Sequence, residues 1–435
     1  MKTRLLALLR CGIVAILVTA GAAAAQQPPA VDELMRGAPV PPDRRVTLQN
    51  FMQEPYSRWG FRHLRQLAPT AEIYAGPGPV SSLQRQPVDL DKLVFEVGGG
   101  QTLDLATWME ESRTDSFLVL HRGHIVYERY LHGMQPHQPH QMFSVTKSFV
   151  GTLVLLLAEE GRIDLEQAVA NYLPELANSA FGSATVQQVL DMVTSVSFSE
   201  DYEDPQADIW QYGQIAWIGY DPTAAYTGPA SMYDYLPTLK SRDAEHGEAF
   251  HYVTPNTDVL AWLLGRVTGQ PLQELIAEHI WQPLGAERSG YLWLDRGGIP
   301  MAGGGLNVTA RDAARFGQMI LQDGYYNQRQ VLPPRVAKRI LTPRNRAVFN
   351  TLYQDDWYEK IAFGYHDQWW SFNNTHRAVS AIGVHGQFIY LDSVADMVIV
   401  KQSAHPDAEG ESNEVHGPLI WHQIALHLLD LDNAQ

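Results

Sequence analysis

Cysteine is nearly absent from this sequence. Cys11 is the only cysteine among 435 residues, and it falls in an N-terminal stretch with the pattern of a removable targeting signal. The mature chain would then have no thiol, which excludes a disulfide, a cysteine metal site and a cysteine nucleophile. The G-x-S-x-G, G-K-[ST] and H-E-x-x-H signatures are also missing, so the sequence offers no nucleophile elbow, phosphate loop or zinc helix of the common kinds.

Long hydrophobic runs are confined to the N-terminus. Lys2, Arg4 and Arg10 precede the apolar stretch "CGIVAILVTAG", and three alanines at 23–25 follow it. This arrangement predicts a secretory signal over residues 1–25, cleaved before Gln26. A retained membrane anchor is the less favoured alternative, because the apolar run is shorter than the ~20 residues that a span needs. No later segment is apolar enough to cross a bilayer, so we expect a periplasmic or secreted protein without an integral membrane span once the signal is cleaved.

Basic residues are scarce. Without the three in the signal segment, 29 basic residues stand against 48 acidic ones, a formal charge of −19. Such a balance argues against nucleic acid and anionic membranes as partners. It favours a small-molecule substrate, and it leaves the oligomeric state open.

Metal and cofactor signals are equally sparse. The segment "LHGMQPHQPHQ" carries His132, His137 and His140, but no carboxylate or cysteine joins them at a metal-binding spacing. A polar loop is therefore favoured over a metal site. The glycines of "MAGGGLNV" lack dinucleotide-binding spacing and indicate a turn. We predict no cofactor and no metal.

The remaining pattern places strands at both ends of the chain and helices between them. "SFLVLHRGHIVYERYL" has the pattern of a β-hairpin with its turn at Arg122-Gly123, and "AVSAIGVHGQFIYLD" and "DMVIVKQS" have that of strands near the C-terminus. These segments predict an α/β fold in which residues 26–165 and 300–435 share one sheet. Residues 166–299 would form an inserted, mainly helical lobe, and clefts between lobes commonly hold small molecules.

The segment "QMFSVTKSFVGTLVLLL" sets a serine and a lysine at the start of an unusually apolar helix. Ser144 and Lys147 are three residues apart, so they share one face of that helix. A serine needs a base to become a nucleophile, and burial would lower the pKa of Lys147 enough to provide one. Free N–H groups at the helix start would stabilise an oxyanion. The alternative is that Ser144 only caps the helix while Lys147 extends to solvent. Of the seven lysines, only Lys147 follows a serine by three positions.

Longer segments resemble a known family. "FSVTKS", "FHYVTPNTDVLAWLLGRVTGQPL" and "AGGGLNVTARDAARFGQMI" are similar to the serine hydrolases related to class C β-lactamases and penicillin-binding proteins, and most similar to their 6-aminohexanoate-dimer hydrolase branch. The likeness covers most of residues 40–430. It implies a β-lactamase/transpeptidase-like fold, with an antiparallel sheet flanked by helices, and an acyl-enzyme formed on Ser144.

The resemblance also implies the second and third motifs of that family. Its Y-x-N tyrosine corresponds to Tyr252, which would relay protons to the leaving group, as a phenolate only if its pKa were lowered. Thr254 stands where the family asparagine would be. The K-T-G strand corresponds to "AIGVHGQFIY", which has no lysine. Its oxyanion N–H is assigned to Val384 after Gly383, with Gln387 as the alternative.

Further pocket residues follow from the same resemblance. Tyr202 and Trp370 would line the substrate pocket, although ordinary packing also explains them, and His385 would either bind substrate or serve the strand structurally. Without Asn at 254 and without the K-T-G lysine, we expect esters or linear amides as substrates rather than β-lactams, unless Arg377 supplies the missing charge. The alternatives are β-lactamase or D-amino-acid peptidase activity, or a non-catalytic binding or sensor protein of the same fold.

Overall fold

A computed structural model describes residues 29–343 and 364–434. The predicted signal segment lies outside the described residues. The strands are β1 Thr70–Ile73, β2 Val94–Gly98, β3 Gln101–Asp104, β4 Thr114–His121, β5 His124–Tyr130, β6 His140–Gln141, β7 Gly290–Trp293, β8 Leu306–Val308, β9 Tyr325–Tyr326, β10 Arg329–Gln330, β11 Gly364–His366, β12 Trp369–Ser371, β13 Val379–Gly383, β14 Gln387–Asp392 and β15 Met397–Ser403.

Most helices lie between the two groups of strands that form the large sheet. They are α1 Ser57–Gly60, α2 Leu105–Glu111, α3 Val145–Glu159, α4 Val169–Tyr172, α5 Val186–Leu190, α6 Asp208–Ile215, α7 Met232–Tyr235, α8 Pro255–Thr268, α9 Leu272–Ile276, α10 Gln282–Leu284, α11 Ala310–Leu321, α12 Pro334–Ile340, α13 Glu411–Glu414 and α14 His416–Asn433. Short 3-10 helices occupy Val31–Glu33, Pro42–Arg44, Leu64–Gln66, Pro174–Leu176 and Leu236–Thr238, and a π-helical turn at Ala277–Trp281 joins α9 to α10. None of the helices in the described ranges is long and apolar enough to span a membrane.

The large sheet has seven strands in the order β11-β12-β13-β14-β15-β4-β5, and every neighbouring pair is antiparallel. The expected hairpin is β4–β5, and Arg122 and Gly123 at its turn both have positive φ, as a tight two-residue hairpin requires. The architecture expected from the sequence is confirmed. The boundaries 26–165, 166–299 and 300–435 stay a prediction.

Strand β4 shows why the sheet is central. All eight of its residues are buried, and successive side chains enter opposite cores. Phe117 and Val119 join the cluster that contains Trp421 of α14, whereas Leu118 and Leu120 join the cluster that contains α3 and α11. Both faces of the sheet are therefore covered, which accounts for the nearly continuous apolar run in the sequence.

A smaller sheet, in the order β1-β7-β8-β6, positions the start of α3. Strand β6 pairs with β8, and the chain then turns at Phe143 into α3. Helix α3 is buried over almost its whole length and contacts α8 and the sheet strand β13. The residues at its N-terminal end are therefore held from several sides.

Candidate active site

Ser144 lies at the bend between β6 and α3. The preceding Phe143 is a non-glycine residue with φ of 45°, a backbone conformation that costs energy and often occurs at functional sites. The Phe143 ring packs between Phe61, at a centroid distance of 4.9 Å, and His385, at 5.2 Å. The Ser144 side chain makes no capping hydrogen bond to α3, so the capping alternative does not hold.

Lys147 is buried directly beneath Ser144. Its Nζ lies 2.9 Å from Ser144 Oγ and donates to the Gly303 carbonyl at 2.6 Å. The side chain is about 1% exposed, so it does not extend to solvent. Burial lowers the pKa of Lys147 to about 8, while the charges of Glu200 and Asp258 oppose that shift. A neutral amine is therefore accessible near neutral pH.

Tyr252 completes the group as a neutral phenol. Its hydroxyl shares a hydrogen bond with Ser144, and its ring lies 5.0 Å from Lys147 Nζ and stacks on Trp370 at 5.5 Å. Burial raises the pKa of Tyr252 well above its usual value, and the charge of Glu200 adds to the rise. The condition set for a phenolate, a lowered pKa, is therefore not met, and Tyr252 rests as a neutral phenol.

Two carboxylates at the site escaped the sequence reasoning. Glu200 accepts hydrogen bonds from the Thr254 backbone N–H and, at 3.3 Å, from the Tyr202 hydroxyl, and burial raises the pKa of Glu200. Asp258 accepts from the Tyr212 hydroxyl and from the Ala302 N–H, both at 2.9 Å, and burial raises its pKa to about 7.

Proximity in sequence was the only available signal for these two carboxylates. Glu200 lies two positions before Tyr202, and Asp258 lies six positions after Tyr252. Both act on Lys147 electrostatically, since their charges favour its protonated form. Thr254 directly precedes α8, and its backbone N–H donates a hydrogen bond to Glu200. It does not line the cavity into which Ser144 opens.

The end of strand β13 lies against the start of α3. A Cβ added to Gly383 would be 2.3 Å from the Met142 carbonyl oxygen and 3.1 Å from Ser144 N, so only glycine permits this approach. Val384, the next residue, lines the same cavity as Ser144. In the described ranges, neither the Ser144 N–H nor the Val384 N–H donates any of the backbone hydrogen bonds that lie outside the helices and strands. Both are thus available to a ligand.

The β13–β14 hairpin carries two further candidates, Gln387 and His385. The side-chain amide of Gln387 is buried, and its Nε2 donates hydrogen bonds to the carbonyl oxygens of Ser403 at 2.7 Å and His385 at 3.0 Å. Gln387 does not line the cavity, which favours Val384 over this alternative. His385 lines the cavity, and its Nδ1 lies 2.8 Å from the His405 carbonyl oxygen. Burial lowers the pKa of His385 to about 4, so its ring is neutral.

Ser144 opens into a cavity of about 920 Å³. The structure places all but one of the expected site residues on its wall: Ser144, Tyr202, Tyr252, Trp370, Gly383, Val384 and His385. Lys147 is the exception and lies below Ser144. Arg377, in the turn before β13, is not part of the wall. It therefore does not supply the charge that the absent K-T-G lysine would have provided.

The histidine loop does not gather into one group. His140 is buried against Asp115 at 3.3 Å, and His132 lies 3.6 Å from Glu110. Over residues 29–343 and 364–434, one set of three residues has metal-type ligand atoms within 4.8 Å of one another, namely His376, Asp392 and His422. None of the three lines the cavity.

Comparisons with known proteins show which family the chain resembles. The family profile described as "Beta-lactamase" matches residues 105–415. The 6-aminohexanoate-dimer hydrolase of Paenarthrobacter ureafaciens is 37% identical over 395 residues, which cover 89% of this chain and 94% of the relative.

Solved structures give the same result. One from Bacillus anthracis, provisionally assigned as a 6-aminohexanoate-dimer hydrolase, has a TM-score of 0.80 and 34% identity, and it covers 90% of this chain and 99% of its own. The octameric penicillin-binding protein homologue of Pyrococcus abyssi has a TM-score of 0.56 and 17% identity over 73% of this chain and 76% of its own. The second likeness concerns the fold alone.

Proposed function

The chain belongs to the β-lactamase family of serine hydrolases, and from that premise we propose that it is an exported enzyme that cleaves ester or linear amide bonds through an acyl-enzyme on Ser144. One observation carries the proposal. Ser144, Lys147 and Tyr252 meet beneath a large cavity, and the pKa of Lys147 is lowered to about 8. Export is supported by the sequence of residues 1–25 alone.

Acylation begins at the Ser144–Lys147 contact. The neutral amine of Lys147 accepts the hydroxyl proton while Oγ forms a bond to the substrate carbonyl carbon. The carbonyl π electrons move onto oxygen, and the backbone N–H groups of Ser144 and Val384 stabilise the resulting oxyanion. Gly383 contributes by allowing β13 to approach Ser144 this closely.

Collapse of the tetrahedral intermediate needs an acid. Tyr252, held neutral by burial, donates its proton to the leaving nitrogen or oxygen as the bond to carbon breaks, and it regains a proton from the Lys147 ammonium. The acyl group then remains on Ser144. In the second half, neutral Lys147 accepts a proton from a water molecule while the water oxygen attacks the ester carbon. Ser144 Oγ then leaves and takes that proton from the Lys147 ammonium. Each cycle returns all three groups to their starting state.

The residues of the cavity wall favour esters and linear amides over β-lactams as substrates. Tyr202 and Trp370 on its wall offer aromatic surface to an acyl chain. The described wall contains no lysine or arginine to pair with the carboxylate that β-lactams carry. Burying that group unpaired costs on the order of a few kcal/mol. The same argument weighs against a D-amino-acid peptidase that requires a free carboxylate.

Replacement of the nucleophile tests the proposal. Ser144→Ala should abolish hydrolysis of p-nitrophenyl butyrate, prevent labelling by a fluorophosphonate and leave no acyl adduct in the intact mass. Combining Lys147→Ala with Ser144→Ala should lower turnover little further, because the effects of substitutions within one catalytic unit are not additive.

Ser148→Ala is the matched control. Ser148 lies one turn further along α3, where its hydroxyl donates to the Gln368 carbonyl at 2.7 Å, away from Lys147. This variant should keep its turnover and its labelling. Strong residual turnover in Ser144→Ala would rule out the assignment of the nucleophile.

A further inference from the structure

Two histidines and an aspartate meet at the open end of the β13–β14 hairpin, away from the catalytic residues. His376 lies in the turn before β13, Asp392 is the last residue of β14, and His422 lies on α14. One ligand atom from each side chain lies within 4.8 Å of the other two. The other end of the hairpin, at Gly383, is the one that approaches Ser144. The three residues, called the His-Asp-His cluster below, are therefore separate from the candidate active site.

Asp392 is buried and fixed in orientation. Its Oδ1 accepts hydrogen bonds from the backbone N–H groups of Val394 at 3.1 Å and Ala395 at 3.0 Å. Its Oδ2 lies 2.7 Å from His376 Nδ1. Among the described residues, no lysine or arginine forms an ion pair with Asp392, and its ion-pair partner is His376. Buried carboxylates are paired with a cation or coordinate a metal, so Oδ2 is a suitable ligand atom.

His422 presents a ring nitrogen that no protein group satisfies. Its Nε2 lies 3.0 Å from Thr375 Oγ1, whereas its Nδ1 is buried and has no hydrogen-bond partner in the described part of the chain. A proton on Nε2, donated to the threonine hydroxyl, leaves the lone pair on Nδ1, as metal binding by imidazole requires. The rings of His376 and His422 are 4.6 Å apart and nearly perpendicular, at 81°. Two imidazoles and one carboxylate thus converge.

We propose that His376, Asp392 and His422 bind a divalent transition metal, with zinc as the best fit, and that this metal fastens α14 to the β13–β14 hairpin. Two imidazole nitrogens and one carboxylate oxygen suit zinc, whereas magnesium and calcium take oxygen ligands. Tetrahedral bonds of about 2.0–2.1 Å set ligand atoms about 3.3 Å apart, so small side-chain rotations complete the coordination. Water takes the fourth position.

Apolar packing prepares the site before any metal binds. Trp421, the neighbour of His422 on α14, packs against Phe388 at a centroid distance of 4.8 Å and against Tyr390 at 5.3 Å, both on β14. Helix and hairpin are therefore already in contact, and the metal-free protein should fold. The sequence-based prediction of no metal missed this site, because its three residues come from segments far apart in the chain and form no local motif.

Zinc binding is measured on the untagged protein after dialysis against EDTA and then against metal-free buffer. We expect isothermal titration calorimetry to show about one tightly bound zinc ion per chain. Saturating zinc should raise Tm by roughly 2–5 °C, because it binds the folded state. Magnesium at the same concentration should bind weakly and leave Tm unchanged, since imidazole is a poor ligand for it.

Two variants assign the zinc to the His-Asp-His cluster. His422→Gln and Asp392→Asn should each weaken zinc binding at least about 100-fold, since loss of an outer-shell partner alone costs about 10–100-fold. His427→Gln is the matched control, because His427 is partly buried on the same helix and does not belong to the cluster. It should bind zinc as the wild type does. Thermal melting of each metal-free variant checks that it is folded.

A zinc-edge anomalous map of soaked wild-type crystals gives a readout that needs no variant. A peak between His376, Asp392 and His422 would support the site, and zinc bound elsewhere with no peak there would overturn it. Absence of stoichiometric binding by the wild type, or wild-type affinity in a folded His422→Gln, would also overturn it.

The metal site does not depend on the proposed hydrolase function, and Ser144→Ala separates the two. This variant should bind zinc as the wild type does, because the cluster lies at the other end of the hairpin. Wild-type hydrolysis without any zinc binding would refute the metal site and leave the hydrolase proposal intact. Zinc binding without hydrolysis would support the metal site and contradict the hydrolase proposal.

Discussion

At the scale of single residues, Lys147 shows how opposing terms set the pKa of a base. Burial disfavours the ammonium and lowers the pKa to about 8, while Glu200 and Asp258 favour it. A fully isolated buried lysine would be neutral but a weak base for this task. The carboxylates keep its pKa near working pH, where a general base is most effective.

Glu200→Gln tests this balance. In the wild-type enzyme kcat/KM should rise with pH through an apparent pKa near 8, because only neutral Lys147 accepts the serine proton. The Glu200 charge favours protonated Lys147 and so raises its pKa. Removing that charge should lower the pKa and move the rising limb to lower pH.

The matched control is Glu203→Gln, in the same loop. Glu203 is exposed and is not among the groups that shift the pKa of Lys147. Its pH profile, measured with p-nitrophenyl butyrate, should overlay the wild-type profile. A limb that moves to higher pH in Glu200→Gln would show that Glu200 does not act on Lys147 as a charge.

At the scale of elements, the site depends on where β13 meets the start of α3. Ser144 directly precedes α3 and Val384 directly follows β13, and the two elements approach this closely only because residue 383 has no side chain. The smaller sheet fixes the chain just before Ser144 through the pairing of β6 with β8. The candidate oxyanion hole is therefore a property of two elements that are distant in sequence.

Gly383→Ala should separate these elements. The added Cβ would lie 2.3 Å from the Met142 carbonyl oxygen, so the backbone must shift. Since loss of one oxyanion donor costs about 10²–10³ in kcat, we expect a loss of that order, with a fall in Tm that thermal melting would record.

Gly78→Ala is the control for this substitution. Nothing lies within 4 Å of a Cβ at Gly78. Its kcat should match the wild type, and its stability should change by no more than about 0.5 kcal/mol. Wild-type kcat in Gly383→Ala would show that β13 does not supply the second donor.

At the scale of the whole molecule, charge constrains the choice of substrate. The acidic chain and the cavity wall without lysine or arginine in the described residues agree with each other. We therefore expect p-nitrophenyl butyrate, and a linear amide dimer after it, to be better substrates than nitrocefin. Steady-state kinetics on the three compounds decide the order. A higher kcat/KM for nitrocefin than for the other two would mean that the missing lysine and Thr254 were misinterpreted.

Export is also a property of the whole chain. The mature protein should begin near Gln26 and be found in periplasm or medium, because the basic start, apolar run and alanines at 23–25 form a cleavable signal. Edman sequencing or the intact mass of the secreted form checks this. Recovery of the uncleaved chain from the membrane fraction would contradict it.

Local sequence pattern was enough to predict part of the candidate site and part of the fold. The placement of Ser144 and Lys147 on one face depends only on the helical repeat, and the β4–β5 hairpin depends only on apolar residues on both sides of the turn at Arg122-Gly123. Similarity of longer segments led to Tyr252 and to the fold, because related sequences keep related backbones. Predicting these features requires only the residues of a few neighbouring turns or the similarity to related sequences, and the sequence contains both.

The tertiary structure decided what depends on exclusion of water and on distant contacts. It brought Glu200 and Asp258 close enough to act on Lys147, placed Val384 rather than Gln387 on the cavity wall, and kept Arg377 away from that wall. It also raised the pKa of Tyr252, so the condition for a phenolate is not met, because burial of the phenol and the charge of Glu200 both favour the neutral form. Desolvation and long-range charge are set by which atoms surround a group in space, and local sequence does not record them.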